Sequence, residues 1–599
     1  MVKSLNNFAF RMHQALVISL IVGLIVVLYK DLIRPVIAFF IIALVLLVTD
    51  TITTKDFMAG FANEQILVVL ILIMLSDVIQ RTAVMDLAFK NIFKPSMSYR
   101  GFLTLLGFVV APISAFVNNT PLVAILMPYV YDWSKKKRIS PSKVLIPLSY
   151  ITILGGTITL VGTSTNLVVN GFVVDAGYPS LGMFDFTLVG ISVAVVGILY
   201  IAFLGPSLLP DRKDALSSFR EKSREYVTET FLKSNSPLIG KTVEEAGLRK
   251  LQGLFLVEII RGEERIAPVS PKQSLEANDK LIFAGETSTI IELIKTNNGI
   301  ELPDNTRLSK SESMDVKEIV ISSNSDLIGK IVKETNFRGK YDAAIIAINR
   351  NGERITGKLG EVELMTGDLL LLITGDAFEE RSANEQDFHI ISSIDKIHKI
   401  PLYKTYTVLL GTTAAFVVSA IGWMSLFESL LVLMSIIAML QIVRFNDLKR
   451  SFDVDMYLIL VLALSLGKAI VNSGLDKEIS ARMLNVVEPI GSNIAALAII
   501  YLVTNILAML VTNKAAVAIM FPVALSAAKT LGLDPTPFFL AIAFAGCAEF
   551  MTPYGYQTNL MVYGPGGYKF KDYIKIGWGL SLIYFVVAVS ILGYIYDLW

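Results

Sequence analysis

The chain has few of the residues on which disulfide frameworks and metal centres depend. Its 599 residues include one cysteine and three histidines, so no disulfide can form within the chain and no histidine-rich metal cluster is expected. Charged residues make up 18% of positions and hydrophobic residues 53%, which is typical of a membrane protein. Because the charges concentrate in the middle third, we expect a soluble segment between two apolar regions.

Sequences for nucleotide hydrolysis and ion conduction are also absent. The middle third has no G-x-G-x-x-G or Walker sequence, so hydrolysis is not expected there. The apolar regions have no T-V-G-Y-G sequence, which counts against a potassium-type channel filter. The basic run at 135–138 is explained by membrane topology, so no nucleic-acid partner is expected. We predict that the protein is not an enzyme.

Apolar runs long enough to cross a bilayer occur five times in each apolar region. Between the third and fourth run of each region, a further apolar stretch (about 101–133 and about 493–530) has a polar cluster at its midpoint, which predicts a re-entrant hairpin. An odd number of spans per half requires the second half to insert upside down. The predicted spans lie near 13–29, 33–49, 64–80, 147–173, 186–208, 404–424, 427–445, 454–472, 538–563 and 574–597.

Polar clusters inside these apolar regions are repeated about 393 residues apart. V-N-N-T-P-L-V-A-I-L-M-P begins at Val117 and matches V-T-N-K-A-A-V-A-I-M-F-P at Val511. G-T-S-T-N-L at Gly162 matches G-Y-Q-T-N-L at Gly555. Non-helical polar backbone is tolerated at membrane depth only where it lines a cavity. The repeats therefore predict the substrate and ion site of a secondary transporter, with broken helices at about 147–173 and 538–563.

The distribution of basic residues orients this arrangement. Loops on one side of the predicted membrane carry most of the lysines and arginines, and such loops face the cytoplasm. We therefore expect an integral protein of the plasma or inner membrane with both termini outside the cytoplasm and the middle segment in the cytosol. The first hairpin would open inward and the second outward.

The middle segment, residues 211–399, contains a repeat of its own at an offset of 89 residues. S-P-L-I-G-K at Ser236 matches S-D-L-I-G-K at Ser325. Alternating runs predict strands at 254–260, 280–284, 344–348 and 369–373, and short helices are expected at 243–246 and 332–335. The predicted domains are a first transmembrane repeat (1–210), two small α/β lobes (211–310 and 311–400) and a second transmembrane repeat (401–599).

The lobe pattern S-x-L-I-G-K, R-x-x-E-R-I and D-x-L resembles the C-terminal lobe of regulator-of-K+-conductance proteins (RCK-C), twice in tandem, over roughly 225–293 and 317–380. The resemblance implies a cytosolic regulatory module that dimerises and sometimes binds a nucleotide. A packing and dimerisation domain without a ligand is the alternative. The regulatory-lobe residues that the match marks are Gly240, Arg261, Asp279, Gly329, Arg350 and Asp368.

The membrane halves resemble the divalent-anion:sodium symporter (DASS) family of the ion transporter superfamily. Four motifs in the same order carry the resemblance: hairpin tips at 118–120 and 512–514, and turns at 162–166 and 552–559. It implies sodium as the coupling ion, held by Asn119, Gly162, Thr163, Asn166, Asn513, Thr552, Gly555 and Asn559. It implies a substrate site formed by Asn118, Asn119, Thr120, Thr512, Asn513, Lys514, Thr558 and Asn559, with Tyr556, Gln557 and Tyr563 as candidate neighbours.

The chemistry of these residues agrees with that implication. Amide, hydroxyl and carbonyl oxygens of unwound helices suit a monovalent cation, while helix N-termini and N–H groups favour an anion. A cation bound beside the anion lowers the cost of removing the anion from water. Small polar residues also serve as packing contacts between membrane helices, which is the alternative for each of them.

Two charged residues break the internal symmetry. Lys514 stands where the first half has Thr120, and Glu549 stands where it has Gly156. Ionisable residues at membrane depth are costly and usually paired. We expect Lys514 and Glu549 to meet as an ion pair in which the ammonium replaces a sodium ion. The alternatives are a pair that only holds the hairpin, or a Glu549 that carries a proton.

The leading hypothesis is a homodimeric symporter of a divalent oxyanion, sulfate before dicarboxylate, that works by an elevator movement of the hairpin-bearing domain. Sulfate is preferred because chains with this tandem insert resemble the sulfate branch of the family. A carrier of dicarboxylates or other organic anions is the second hypothesis. An RCK-gated cation channel or cation/proton antiporter is the alternative from another class.

Overall fold

The computed structural model describes most of the chain. The described residues are 2–30, 32–80, 96–212, 227–248, 251, 254–262, 264–285, 299–301, 316–322, 325–350, 353–355, 359–375, 377–382, 387–391, 402–443, 452, 454–487 and 492–599.

Helices form the described part of the first apolar region. Serine and threonine caps begin several of them: the Ser98 hydroxyl accepts a hydrogen bond from the Gly101 amide (3.2 Å) at the start of one hairpin arm, which satisfies an otherwise unpaired N–H. The helices are α1 (Val2–Tyr29), α2 (Pro35–Val48), α3 (Thr54–Ala59), α4 (Glu64–Gln80), α5 (Tyr99–Ser114), α6 (Asn119–Lys136), α7 (Leu145–Gly156), α8 (Ser164–Asp175), α9 (Thr187–Phe203) and α10 (Gly205–Leu208).

Eight helices of the second apolar region match eight of the first in order, whereas α3 and α10 have no counterpart among the described residues. One helix of this region, Leu475–Val487, was not among the predicted spans, and it lies between a span and a hairpin. Numbered after two short helices of the middle segment, the helices are α13 (Leu402–Ala420), α14 (Leu426–Met439), α15 (Val454–Asn472), α16 (Leu475–Val487), α17 (Asn493–Leu510), α18 (Asn513–Leu531), α19 (Thr536–Cys547), α20 (Gln557–Tyr563) and α21 (Phe570–Ile595).

Six helical segments of the described chain are long and apolar enough to cross a membrane. Five further apolar helices are shorter, with 10–17 residues, so the prediction of five full spans per half is not reproduced by helix length alone. Large apolar side chains such as Phe40 and Val432 remain about half exposed, as expected for surfaces that lipid covers. The six long segments are Arg11–Leu28, Thr54–Leu75, Val454–Asn472, Asn493–Leu510, Asn513–Leu531 and Phe570–Ile595.

The two halves pack against each other reciprocally. Helix α2 contacts α15, and its counterpart α14 contacts α4, the counterpart of α15. Helix α8 contacts α18 and α19, and its counterpart α20 contacts α6 and α7. The last long helices, α9 and α21, contact each other. These contacts between the halves are thus matched by their counterparts, which is the pattern that a two-fold relation between the halves produces.

The middle segment forms two five-stranded antiparallel sheets with the same strand connections. The first sheet has the order β3-β2-β4-β1-β5 and the second β10-β6-β9-β7-β8. A bulge interrupts the same place in both, at Leu256/Glu258 and at Ile345/Ala347. The strands are β1 (Val227–Leu232), β2 (Leu254–Arg261), β3 (Glu264–Ile266), β4 (Lys280–Gly285), β5 (Ile300–Glu301), β6 (Val316–Ile321), β7 (Ala343–Arg350), β8 (Glu353–Arg354), β9 (Leu369–Thr374) and β10 (Phe388–Ile390).

Each sheet belongs to a small lobe with its own apolar core. The second lobe also has two short helices, α11 (Phe337–Tyr341) and α12 (Phe378–Ser382). Only one of the two short helices predicted after the Gly-Lys pairs is present, as a 3-10 turn at Val332–Glu334. Residues 243–246 form turns instead, and Gly247 after them has a left-handed backbone (φ 73°).

The residues of the RCK-C match hold each lobe together from within. Arg261 donates from Nε and Nη2 to the two oxygens of Asp279, at 2.9 Å each. Arg350 makes the same pair of bonds to Asp368, at 2.7 Å. Gly240 and Gly329 have left-handed backbones (φ 80° and 76°) and donate their N–H to the carbonyls that close the loops, those of Leu275 and Leu364. These contacts are structural.

Replacing Arg350 by alanine is expected to destabilise the second lobe by about 2 to 3 kcal/mol, because Asp368 (1% exposed) would be left as an unpaired buried carboxylate. Hydrogen bonding to Asp368 also raises the pKa of Arg350 above its ordinary value. Hydrogen exchange of the β9 amides in the full-length chain measures the change. The exposed Arg381, replaced by alanine, is the control and should shift the opening free energy by about 0.5 kcal/mol or less. Equal exchange in both variants would contradict the assignment.

Candidate functional site

The first hairpin tip is a tight turn between α5 and α6. Asn118 caps α6 and accepts a long hydrogen bond from the Thr120 amide (3.5 Å). Asn119 is 1% exposed, and its Oδ1 lies 2.7 Å from the Ser114 hydroxyl. The same hydroxyl lies 2.7 Å from the Thr152 carbonyl in α7. The tip is therefore fixed to the neighbouring broken helix.

The first break separates α7 from α8 at residues 157–163. Three carbonyl oxygens surround Gly162 at this break: a Cβ atom there would lie 2.5 Å from the Gly156 oxygen, 2.8 Å from that of Ala115 and 2.9 Å from that of Ser114. Glycine is therefore required for the close approach. On the far side, the Asn166 Nδ2 donates to the Thr159 carbonyl (3.0 Å). Carbonyls of the hairpin and of the break thus converge at one point.

The second hairpin tip has the same construction between α17 and α18. The Thr512 hydroxyl accepts a hydrogen bond from the Ala515 amide (3.3 Å) and caps α18. The Asn513 Oδ1 accepts one from the Lys514 amide (2.9 Å). Both bonds are local to the tip, unlike those of Asn119.

The second break separates α19 from α20 at residues 548–556, where Pro553 and Gly555 prevent a continuous helix. The Asn559 Nδ2 donates to the carbonyls of Glu549 (2.8 Å) and Thr552 (3.1 Å). The bond to Thr552 is the counterpart of that from Asn166 to Thr159, so both breaks are closed by an asparagine seven residues after a threonine. Repeated polar sequence thus gives repeated backbone geometry.

Glu549 has no hydrogen bond to Lys514, and the ion pair between them stays a prediction. Its side chain is fully buried, and among the residues that the structure describes neither carboxylate oxygen has a hydrogen-bond partner. The carboxylate lies instead beside the break: a Cβ at Gly555 would lie 2.7 Å from its Oε2 and 3.0 Å from the Thr552 hydroxyl. Lys514 is near enough to act on Glu549 electrostatically, without a hydrogen bond to its carboxylate.

Hydrogen bonds between the halves bring three of the four interruptions together. The Asn119 Nδ2 donates to the Tyr556 hydroxyl (2.7 Å), which also lies 3.0 Å from the Thr163 hydroxyl. The Thr120 hydroxyl donates to the Gln557 Oε1 (3.1 Å). The first tip and the first break therefore both contact the start of α20. Tyr556 stands at the repeat position of Thr163, so the two counterparts touch each other.

Serine residues that the motifs do not include extend this network. The Ser149 hydroxyl in α7 lies 2.8 Å from the Thr558 hydroxyl and 2.7 Å from the Asn559 Oδ1. Ser149 and Ser114 were not predicted as site residues, because neither lies in a repeated cluster. Near the second tip, Gly546 packs against Val517 of α18 and Thr165 of α8. The second tip thus approaches the first break by packing contacts.

A small, partly open pocket adjoins the first tip. Its polar groups come from Asn118 and Ser164, and its other walls are apolar. The lining residues are Val69, Leu72, Ile73, Phe116, Asn118, Val161, Ser164 and Leu167.

Comparison with known proteins agrees with this architecture. The profile of a family described as "Citrate transporter" matches residues 22–440 and 414–598. An uncharacterized transporter of Synechocystis sp. is 32% identical over 91% of this chain and 90% of its own length. A putative sulfur deprivation response regulator of Chlamydomonas reinhardtii is 28% identical over 91% of this chain and 95% of its length. Sodium/sulfate cotransporter 1 of the same alga is 21% identical over 95% of this chain and 88% of its length.

The family match covers both membrane halves, and the long apolar helices identify an integral membrane protein. The chain therefore belongs to the citrate transporter family of membrane transporters.

Proposed function

We propose that the protein is a sodium-coupled symporter of a divalent oxyanion, with sulfate as the first candidate. The observation that carries the proposal is the set of hydrogen bonds between the halves, from Asn119 to Tyr556 and from Thr120 to Gln557. Polar contacts between interrupted helices of two repeats are typical of the substrate site of a secondary transporter. Relatives named as sodium/sulfate cotransporters favour sodium as the coupling ion and sulfate as the substrate.

The anion would bind where four helices begin. Helices α6, α8, α18 and α20 start at Asn119, Ser164, Asn513 and Gln557, and the N-terminus of a helix carries a partial positive charge. The nearby pocket contributes neutral polar groups from Asn118 and Ser164. A site with this little fixed charge suits an anion whose charge is balanced by a cation bound at the same time.

Sodium would bind at the first break. The carbonyls of Ser114, Ala115 and Gly156 converge beside Gly162, and the Asn119 Oδ1 is also adjacent, since a Cβ at Gly156 would lie 2.6 Å from it. These are hard oxygen ligands of the kind that bind sodium in broken membrane helices. Because the same asparagine contacts Tyr556, sodium binding at the break would position the start of α20, which is a direct route for coupling.

In the second half, we propose that Lys514 takes the place of a coupling cation. If so, Lys514→Asn frees oxygen ligands at the second tip, and the sodium dependence of uptake should become steeper, with a larger Hill coefficient. Lys529→Asn, at the exposed end of the same helix, is the matched control and should leave the curve unchanged. An unchanged sodium dependence in Lys514→Asn would exclude this role.

We further propose that the repeats are inverted in the membrane and work by an elevator movement in a homodimer. The reciprocal helix contacts support an internal two-fold relation, and the basic loops favour external termini with a cytosolic insert. The two sheet lobes would then be regulatory modules of the RCK-C type that bind a nucleotide or another ligand.

A carrier of citrate or another carboxylate is the second candidate, favoured by the description of the family. Both candidates use the same site, and they differ in the size of the anion that enters it.

Counterflow in reconstituted vesicles tests the proposal. Vesicles that contain the purified protein are loaded with unlabelled sulfate, succinate or citrate. Entry of the same anion in labelled form is then followed with sodium or with choline as the external cation. We expect sulfate exchange that requires sodium. Exchange of citrate but not sulfate would establish the second candidate. Cation flux that requires none of the three anions would indicate a channel or antiporter.

A further inference from the structure

The two lobes of the middle segment relate differently to the membrane helices. In the described part of the chain, the large apolar core of the membrane region includes Val320, Leu369 and Ile391 of the second lobe and no residue of the first lobe. These three side chains are 1–2% exposed. The second lobe is therefore packed into the membrane region as a continuation of its core.

Two helices that begin at the candidate site contact the second lobe. On α6, the Tyr131 hydroxyl donates to the Glu318 Oε2 (3.1 Å), and Glu318 is 1% exposed. At the end of α20, a Cβ on Gly564 would lie 2.8 Å from the Gly367 oxygen and 3.4 Å from the Leu369 Cβ. A Cβ on Gly367 would in turn lie 3.1 Å from Leu560 of α20. One lobe thus contacts both helices at once.

These helices are also joined at their other ends. The Thr120 hydroxyl at the start of α6 donates to Gln557 at the start of α20 (3.1 Å). Tyr131 lies eleven residues beyond Thr120 in the same helix, about 16 Å at the helical rise per residue. Pro128 lies between the two residues without ending the helix, so one continuous helix connects them and can transmit displacement. The lobe therefore connects to the site through two helices with no intervening loop.

The first lobe lacks the docking surface, although its fold is the same. At the repeat offset of 89 residues, Leu369 corresponds to Lys280 and Gly367 corresponds to Asn278. Lys280 lies over the ring of Phe231 (5.5 Å) and is partly exposed. A lysine in place of Leu369 would bury a charge, and an asparagine in place of Gly367 would crowd Leu560. The apolar docking face is thus a property of the second lobe alone.

We propose that the second lobe regulates transport by docking on α6 and α20. While docked, it holds these helices, and with them Thr120 and Gln557, in the arrangement that binds the anion. Undocking releases the two helices and lowers the affinity for the anion. The inference rests on the proposed transport function and assigns its regulation to one lobe, whereas the first lobe is left to bind a ligand or a second copy.

The test uses the full-length chain in vesicles and substitutes first-lobe residues into the second lobe. Leu369→Lys is expected to raise the KM for labelled sulfate about fivefold or more, which is the usual size of a coupling between sites. Lys280→Leu, the reciprocal change in the first lobe, should leave the KM unchanged. If Leu369→Lys fails to give monodisperse protein, Tyr131→Phe replaces it, with an expected increase of about two- to tenfold from one lost hydrogen bond.

Docking itself is measured separately with Val320→Cys. The native Cys547 is buried, so a polar maleimide should label the new thiol only when the lobe undocks. We expect little labelling in the Val320→Cys chain and strong labelling when Leu369→Lys is added. Strong labelling of the Val320→Cys chain that keeps Leu369 would overturn the proposal. So would labelling that shows undocking in the Leu369→Lys variant while its KM is unchanged. A parent chain that takes up no sulfate would count against the transport function alone, because the labelling reports docking independently.

Discussion

Replacement of Asn119 by alanine is expected to lower sulfate uptake about a hundredfold or more, equivalent to roughly 2.7 kcal/mol in transition-state stabilisation. The Asn119 amide joins the Ser114 hydroxyl to the Tyr556 hydroxyl, each at 2.7 Å. Its loss leaves both partners buried without their bond and disconnects the first tip from the second half. It also removes the oxygen closest to Gly156. Initial uptake rates in vesicles, normalised to reconstituted protein, measure the effect.

A second buried asparagine provides the control. The Asn170 amide bonds to Gln65, Ser180 and the Leu181 backbone, away from both tips. Asn170→Ala should lower thermal stability by a comparable amount while keeping uptake within about threefold, since a loss of stability alone does not alter the site. Equal losses of uptake in the two variants would mean that Asn119 acts only by holding the fold.

The second large effect is expected at Gly162. The atoms that an alanine Cβ would meet there are three backbone oxygens at 2.5–2.9 Å, and backbone cannot move aside without moving the hairpin. Overpacking of this kind typically costs about 1–3 kcal/mol. Because those oxygens form the proposed sodium site, Gly162→Ala should raise the sodium concentration for half-maximal uptake roughly tenfold or more.

The repeat supplies a matched control for this substitution. Gly555 is the counterpart of Gly162, but a Cβ there would meet the ends of two side chains, the Glu549 Oε2 at 2.7 Å and the Thr552 hydroxyl at 3.0 Å. Side-chain ends can rotate away, so Gly555→Ala should change sodium dependence by about threefold or less. A larger effect at Gly555 than at Gly162 would place the main cation site in the second half.

The positions of the helix breaks could be predicted from the sequence because they depend on local chemistry. Thr and Gly interrupt the apolar run at 157–163, and Thr, Pro and Gly interrupt it at 548–556, where the structure has non-helical backbone. The partners of the site residues were harder to predict. Ser149 contacts Asn559 across the interface, but its counterpart is Ile542, so internal repetition gave no signal. The Lys514–Glu549 ion pair stays a prediction: Lys514 acts electrostatically on Glu549, but neither carboxylate oxygen has a hydrogen-bond partner among the described residues.

In the middle segment too, local features could be predicted from the sequence and long-range contacts could not. Alternating apolar residues predicted strands where β2, β4, β7 and β9 lie, since alternation reflects the period of a strand. The docking of the second lobe gave no such signal, because Leu369 reads as an ordinary inward-facing strand residue. Only the arrangement of the lobe beside α6 and α20 distinguishes it from the residues of its own core. Contacts between distant segments depend on the fold as a whole.

The claim that both halves share one site is tested most directly by a double-mutant cycle on sulfate affinity. Thr120→Ala, Gln557→Ala and the double variant are compared with the parent chain by equilibrium binding of labelled sulfate in sodium. These residues are far apart in sequence and joined by one hydrogen bond of 3.1 Å, so we predict a coupling energy of about 0.5 to 1.5 kcal/mol. Effects that add to within about 0.3 kcal/mol would show that the two positions act independently and would contradict a shared site.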